Sequence, residues 1–176
     1  FNTGNGIVSV TSGASVNDNL AGFYAPAYPV GVIGILPSIY GGNGGGIFSE
    51  DGGTVTLDGA SVNGNVASEQ EGPGIGGTGG FGGGIYQSSS AGTLYVRNSS
   101  TVNNNVAALD GGGIFNDQAT VDIEGSSVNN NTAGYDPFSE YILGPGWSGE
   151  ALGGNGGGIF NNDGTVTLTN YNATNT

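Results

Sequence analysis

The chain has 176 residues, of which 39 are glycine and none is cysteine or histidine, and its net charge at pH 7 is −13. One basic residue against 14 acidic ones argues against binding to nucleic acid or anionic lipid, since both are held by cationic side chains. The glycines follow no three-residue period, which excludes collagen, and the lack of cysteine excludes a disulfide framework or a thiolate metal site.

A five-residue motif, Gly-Gly-Gly-Ile followed by Phe or Tyr, occurs four times and ends at Phe48, Tyr86, Phe115 and Phe160. Each copy precedes a short run of alternating apolar residues, and most copies then reach an Asn-rich corner. Recurrence at intervals of about 30–45 residues indicates a stacked, one-dimensional architecture. The period of two predicts short strands, about three in each repeat, and no segment has a helical period.

The repeats form one predicted domain over residues 1–176. They cover approximately residues 1–21, 41–67, 79–107, 109–133 and 153–176. Three long insertions fall at the same point of the repeat unit, at residues 22–40, 68–78 and 134–152. Because insertions at one repeat position emerge on one face, we expect an all-β, single-domain β-solenoid of about five coils with long loops on one flank.

Stacking places equivalent residues of successive repeats above one another, about 4.8 Å apart. The predicted inward columns are Ile47, Ile85, Ile114 and Ile159; Val10, Leu57, Val96, Ile123 and Leu168; Val8, Val55, Leu94, Val121 and Val166; and Val16, Val62, Val102 and Val128. The glycines before each isoleucine permit a tight corner. At the other corner, asparagines tolerate the left-handed backbone region, and Asn65, Asn105 and Asn131 are predicted to form a side-chain amide ladder.

The order of these features resembles the right-handed parallel β-helix repeats of bacterial surface proteins. It is similar to the GGAI and FxxN repeats of chlamydial polymorphic outer-membrane proteins and autotransporter-like adhesins. Gly44-Gly45-Gly46-Ile47 and its three equivalents match the first half, whereas Phe160-Asn161-Asn162 and Phe115-Asn116 match the second approximately. The resemblance covers every repeat outside the loops. It implies a right-handed parallel β-helix and says little about function, because many unrelated secreted proteins use this fold.

Two of the insertions are rich in large apolar residues. The first contains Phe23, Tyr24, Tyr28, Ile33 and Ile35, and the third contains Tyr135, Phe138, Tyr141 and the single tryptophan, Trp147. Exposed apolar loops of this size mark association surfaces, so these residues are candidate partner contacts. The alternative is that the loops pack on each other as a flap over the side of the helix.

Both ends of the sequence lie within a repeat, and neither carries a polar cap or a helix. An uncapped β edge pairs with another edge, and a head-to-tail contact gives an open filament. We therefore expect copies to stack end to end, with Phe1, Tyr171 and Thr176 at the contact. The segment Val32-Ile33-Gly34-Ile35-Leu36 could supply the Gly-Gly-Gly-Ile strand that such a joint would lack.

A β-helix hydrolase or lyase needs a carboxylate pair, or a base aided by cations. The chain has no His or Lys, and its one cation, Arg97, is predicted to lie between Asp58 and Glu124 as a cross-strand ion pair. No catalytic, cofactor-binding or metal-binding residue is therefore predicted. Calcium bound by acidic loops such as Glu50-Asp51 is a weaker alternative, because no segment matches a known calcium loop.

The sequence thus predicts a non-catalytic structural subunit of an extracellular filament or surface fibre, with another copy of itself as partner. The alternative is a cell-surface adhesin or carbohydrate-binding module that uses the aromatic loops on surface glycans, and a polysaccharide-degrading enzyme ranks third. A non-Met first residue, no visible signal region and no apolar stretch long enough to cross a membrane suggest a mature exported chain. Sequons occur at Asn98, Asn130 and Asn172, and their glycosylation stays open.

Overall fold

The computed structural model describes residues 1–23, 40–68, 80–135 and 154–170, and these residues form strands and turns without a helix. In chain order the strands are β1 (Ile7–Thr11), β2 (Leu20–Phe23), β3 (Tyr40–Gly41), β4 (Ile47–Ser49), β5 (Thr54–Asp58), β6 (Ser61–Asn63), β7 (Val66–Ala67), β8 (Ile85–Ser88), β9 (Thr93–Arg97), β10 (Thr101–Asn103), β11 (Val106–Ala107), β12 (Ile114–Asp117), β13 (Thr120–Glu124), β14 (Ser127–Asn129), β15 (Thr132–Ala133), β16 (Ile159–Asn162) and β17 (Thr165–Thr169). The fold of this part of the chain is all-β.

Each sheet is built from equivalent strands of successive repeats, and every pairing within it is parallel apart from β2 with β3. The threonine sheet has the order β1-β5-β9-β13-β17, and the motif sheet has the order β4-β8-β12-β16. The corner sheet is β6-β10-β14, and the short sheet is β3-β2-β7-β11-β15. Isolated bridges from Asn2 to Ser49 and from Ser15 to Ser61 extend the motif and corner sheets by one further layer.

Strand register aligns identical or similar residues across the layers. Ile47, Ile85, Ile114 and Ile159 are successive partners in the motif sheet. In the threonine sheet the partners form two inward columns: Val8, Val55, Leu94, Val121 and Val166, and Val10, Leu57, Val96, Ile123 and Leu168. These side chains, apart from the half-exposed Leu168, form one apolar core with those of Val62, Val102 and Val128. Full burial of each such side chain contributes about 1.5–3 kcal/mol relative to exposure.

Two features of this architecture differ from the sequence prediction. Each complete repeat contains four strands rather than three, because a two-residue strand follows the Asn corner at Val66–Ala67, Val106–Ala107 and Thr132–Ala133. The first insertion is not loop throughout, since Gly22 pairs with Gly41 and Phe23 with Tyr40 in an antiparallel bridge at its base. Pairs this short carry no alternation from which they could be recognised.

Candidate functional site

Five aromatic rings form a continuous stack along the outer side of the motif sheet. Phe1, Phe48, Tyr86, Phe115 and Phe160 follow one another with ring centroids 5.0, 4.9, 5.2 and 5.1 Å apart. The first three pairs are within 4° of parallel and the last is tilted by 20°. This aromatic column arises because the residue after each motif isoleucine occupies the same register position in every layer.

Stacking decides which part of each ring is available to a ligand. Inside the column both faces of a ring contact neighbouring rings, so only ring edges reach solvent. A sugar recognised by an aromatic residue needs a free face, and the interior of the column does not offer one. Phe81 further covers Phe115 with a ring at 4.8 Å, and Phe115 is 8% exposed. The free faces lie at the two ends of the stack: on Phe1, which is 89% exposed, and on the outer side of Phe160, where no ring of the described residues stacks.

A second column consists of side-chain amides at the Asn corner. Asn19 donates from Nδ2 to Asn65 Oδ1 at 2.9 Å, Asn65 donates to Asn105 at 3.0 Å, and Asn105 donates to Asn131 at 3.0 Å. Each accepting Oδ1 also receives the backbone N–H of the preceding layer's asparagine, at 2.9–3.0 Å. Asn65 and Asn105 are fully buried, so this amide column satisfies polar groups that water cannot reach.

The amide column is saturated within each interior layer. The remaining Nδ2 hydrogens of Asn65, Asn105 and Asn131 go to the carbonyls of Val16, Val62 and Val102, at 2.8–3.0 Å. Each interior amide thus uses both of its donors and both lone pairs of its oxygen. Because every link runs in the same direction along the chain, the column has a polarity, with acceptors facing the first layer and donors facing the last.

A third column of polar residues lies beneath the motif sheet and was missed from the sequence. Asn2, Ser49, Gln87, Asn116 and Asn161 are successive register partners, and the middle three are fully buried. Asn2 Nδ2 donates to Ser49 Oγ at 3.2 Å, and Asn116 Nδ2 donates to Asn161 Oδ1 at 2.7 Å. Its signal in the sequence is the polar residue that stands two positions after each motif isoleucine.

This motif column is interrupted at its centre. Gln87 directs its Nε2 to the Gly53 carbonyl at 3.0 Å, one layer back, instead of to Asn116. Gln87 Oε1 and Asn116 Oδ1 are buried and have no hydrogen-bond partner within the part of the chain that the structure describes. The longer glutamine side chain therefore breaks a ladder that an asparagine would continue.

Within the described ranges, the stacked columns end on two surfaces that no further strand covers. The first face consists of Phe1, Asn2 and β1, and the last face consists of β16 and β17. Side chains of the two threonine-sheet core columns are fully buried in the three middle layers. On the last face, Leu168 from one of those columns is 50% exposed. On the first face Val10, from the same column, is buried, whereas Ile7, at the outward register position opposite Thr54, is 78% exposed.

Arg97 makes half of the ion-pair arrangement predicted from the sequence. Its Nε lies 4.0 Å from Asp58 Oδ2, and its guanidinium carbon lies 5.0 Å from the centre of the Tyr95 ring. Among the residues described, Glu124 forms no ion pair with it, which corrects the prediction of a carboxylate on each side. The paired register of β9 with β13 stops at Val96 and Ile123, one position before Arg97 and Glu124.

Replacement of Arg97 by methionine is expected to change the free energy of unfolding by less than about 1 kcal/mol. Both partners of its ion pair are 42% exposed, and 4.0 Å exceeds hydrogen-bond distance, so solvent screens most of the attraction. Methionine keeps an aliphatic stem against Tyr95. Urea unfolding of both proteins at low and high salt measures the effect, and a loss above 2 kcal/mol on the same scale would contradict it.

Tyr86 occupies the middle of the aromatic column. Burial raises the pKa of its phenol above the usual 10.0; a hydrogen bond with Ser88 lowers it, and the carboxylates of Asp117 and Glu50 raise it. The folded protein therefore holds this proton to a higher pH than the unfolded chain does. Between the two pKa values the unfolded state binds fewer protons, so stability falls as pH rises through that interval.

A Tyr86→Phe variant is expected to keep the ring stack. It should not show the loss of stability at alkaline pH that ionisation of this phenol causes. Below about pH 9 the two proteins should show the same dependence of unfolding midpoint on pH, because the phenol is protonated in both states. Above about pH 10 the wild type should lose stability faster than the variant. Urea midpoints of both proteins across this range provide the test. Parallel curves throughout would contradict it.

Several predicted contact residues fall outside the described part of the chain: Tyr24, Tyr28, Ile33, Ile35, Phe138, Tyr141, Trp147, Tyr171 and Thr176. The segment 32–36 and the sequon at Asn172 also lie outside it. For Phe23 only the backbone is described, in β2. Tyr135 is 53% exposed just after β15. Asn98 and Asn130 are exposed and have positive φ.

Within the described ranges, no three His, Cys, Asp or Glu residues come together as a metal-binding group. The same ranges contain no helix of the length and apolar character that a membrane crossing requires. No protein-family model, curated protein or solved structure matches the chain.

Proposed function

We propose that the chain is a non-catalytic structural subunit of an extracellular filament or surface fibre, built by head-to-tail stacking. In this proposal the parallel sheets wind as a right-handed β-helix of about five coils. Parallel strands in one sheet are almost always joined by right-handed connections, which supports that hand. The long axis of the stack becomes the axis of the filament.

The observation that carries the proposal is the exposure of large apolar side chains at the two end faces. Leu168 belongs to a column whose middle members are fully buried, yet half of its own surface is open on the last face. Phe1 ends the aromatic column with one free ring face. An exposed apolar surface with unpaired β edges favours the addition of another layer. A second copy offers a layer of the same design.

A carbohydrate-binding role has less support from the described residues. The rings of the aromatic column cover one another's faces, so that column does not provide a platform for sugars. The aromatic loops on which the adhesin alternative depends lie in residues 24–39 and 136–153, which the structure does not describe. The filament proposal therefore has the stronger physical basis.

The proposal is tested by sedimentation velocity over a range of concentrations together with negative-stain electron microscopy. The wild-type chain is expected to form fibres, and Leu168→Glu is expected to abolish them, because a carboxylate buried in the joint costs several kcal/mol. Thr120→Glu is the matched control, since it adds the same charge to an exposed site of the same sheet in an interior layer. A wild-type protein that stays monomeric at every concentration, without fibres, would overturn the proposal.

Assembly is also expected to strengthen with ionic strength. Each copy carries a net charge of −13, so stacking brings like charges together. Raising salt from about 10 mM to 150 mM shortens the Debye length from about 30 Å to about 8 Å and screens that repulsion. The concentration at which fibres appear should therefore fall over this range, as measured by pelleting. If that concentration instead rose with salt, ionic contacts rather than apolar stacking would form the joint.

A further inference from the structure

The motif column ends in a free donor on one face and a free acceptor on the other. Asn161 accepts the Nδ2 of Asn116 and gives one of its own Nδ2 hydrogens to the Gly164 carbonyl at 2.9 Å. Its second hydrogen has no partner among the described residues. Asn2 uses its Nδ2 for the Gly6 carbonyl and Ser49 Oγ, and no donor from the described ranges reaches its Oδ1. The donor is on the last face and the acceptor is on the first.

The same two faces carry complementary apolar columns. In the threonine sheet, the register that joins each strand to the next would place β17 beside β1 with Thr165 opposite Ile7 and Thr169 opposite Thr11. In that register Val166 continues the column of Val8, and Leu168 continues the column of Val10. The same step in the motif sheet places Phe160 on the free ring face of Phe1 and Asn161 next to Asn2.

The polarity of the columns distinguishes between the ways in which two copies could meet. Two first faces would bring acceptor to acceptor in the motif column, and two last faces would bring donor to donor. A two-fold contact would also turn the meeting strands antiparallel and break the columns. Only the pairing of a last face with a first face continues hydrogen bonds, ring stack and core together, and such a contact propagates without closing.

We infer that the partner is a second copy held in one defined register: β17 pairs in parallel with β1, Phe160 stacks on Phe1, and Asn161 Nδ2 donates to Asn2 Oδ1 across the joint. This inference rests on the proposed filament function and adds the polarity and register of its contact. The joint then reproduces the spacing between layers within one chain, about 4.8 Å.

Disulfide trapping tests the register, and the natural chain contributes no cysteine to confuse the result. Thr11 and Thr169 are exposed, and across the proposed joint their Cα atoms would be neighbours on adjacent strands, within the 4.4–6.8 Å that a disulfide requires. Within one chain they are four layers apart, about 19 Å, so they cannot pair internally. The double variant Thr11→Cys/Thr169→Cys, assembled and then oxidised, should give a ladder of covalent multimers on a non-reducing gel.

The matched control moves one cysteine out of register. Thr165 is exposed on the same strand but lies about 13 Å from the position of Thr169, so Thr11→Cys/Thr165→Cys should give no ladder. The single variants test polarity: oxidised Thr11→Cys and Thr169→Cys should give disulfide dimers when mixed and none when alone. Dimers from either single variant alone would overturn the head-to-tail contact.

The outcomes separate this inference from the function on which it rests. Fibres in the microscope support the filament. A ladder from the Thr11/Thr169 variant, with none from the Thr11/Thr165 control, supports the register as well. Fibres with no ladder from that pair, or with a ladder from the Thr11/Thr165 control, overturn the register and leave the filament standing. Absence of both fibres and covalent multimers in every variant and in the wild type overturns the filament and the joint together.

Discussion

Replacement of Asn105 by leucine is expected to lower the free energy of unfolding by roughly 3–5 kcal/mol. Asn105 Oδ1 accepts the backbone N–H and the Nδ2 of Asn65, and its own Nδ2 donates to Val62 O and Asn131 Oδ1. Leucine has a similar volume but makes none of these four hydrogen bonds. It leaves buried groups in two neighbouring layers without partners, and each such group costs about 1–3 kcal/mol.

The matched control is Asn103→Leu, two residues earlier in the same corner. Asn103 Oδ1 accepts one bond, from the Asn129 backbone N–H at 2.8 Å, and its side chain is half-buried. Loss of this hydrogen bond should lower the free energy of unfolding by only about 0.5–1.5 kcal/mol. Urea unfolding monitored by circular dichroism compares the two variants at equal m-value. Equal losses would show that the amide column stabilises the fold no more than an ordinary corner contact.

Strict repetition made the interior of this fold predictable. The motif isoleucines, the alternating strands and the Asn corners recur in the same order in each repeat, with turns that differ by one or two residues, so aligning the strands also aligns the residues that the register pairs. The amide ladder through Asn65, Asn105 and Asn131 follows from the same alignment. A parallel stack converts sequence equivalence directly into spatial contact.

Features that break the repetition could not be predicted in the same way. The two-residue strands are too short to show a period, and their pairing depends on the corner that precedes them. The arginine pair depends on side-chain direction: Arg97 leans over Tyr95 and towards Asp58, whereas alignment alone placed it equally close to Glu124. Gln87 aligns with asparagine, yet its longer side chain reaches back to Gly53 and interrupts the ladder.

The aromatic column has a clear pattern in the sequence, but its consequence depends on strand register. A ring follows each motif isoleucine, and the pattern alone does not say whether successive rings stack or lie apart. Register places these rings face to face, which removes them from ligand binding along the side and leaves a free face at each end of the stack. The stack therefore offers ring faces only at its two ends, whereas most of the loop residues predicted as contacts lie outside the described part of the chain.

Substitution of Gly83 by alanine is expected to lower the free energy of unfolding by at least about 3 kcal/mol, or to prevent folding. Gly83 is the middle glycine of its motif, and its φ lies outside the left-handed region, so its backbone conformation alone would accept a side chain. A Cβ at this position would overlap two backbone carbonyl oxygens, those of Gly112 and Val106. Neither oxygen can move away, because the backbone of both residues is held between neighbouring layers.

Gly125→Ala is the control that separates overlap from backbone strain. Gly125 has a φ of +52°, which disfavours alanine, but no atom lies within 4 Å of its Cβ position. The free energy of unfolding of this variant should fall only by the strain of the left-handed conformation, about 1–2 kcal/mol. Thermal and urea unfolding of both variants measure the difference. If Gly83→Ala lowered the free energy of unfolding no more than Gly125→Ala does, the prediction would be wrong. Close approach of backbones at the Gly-Gly-Gly corner would then not explain the glycine in every motif copy.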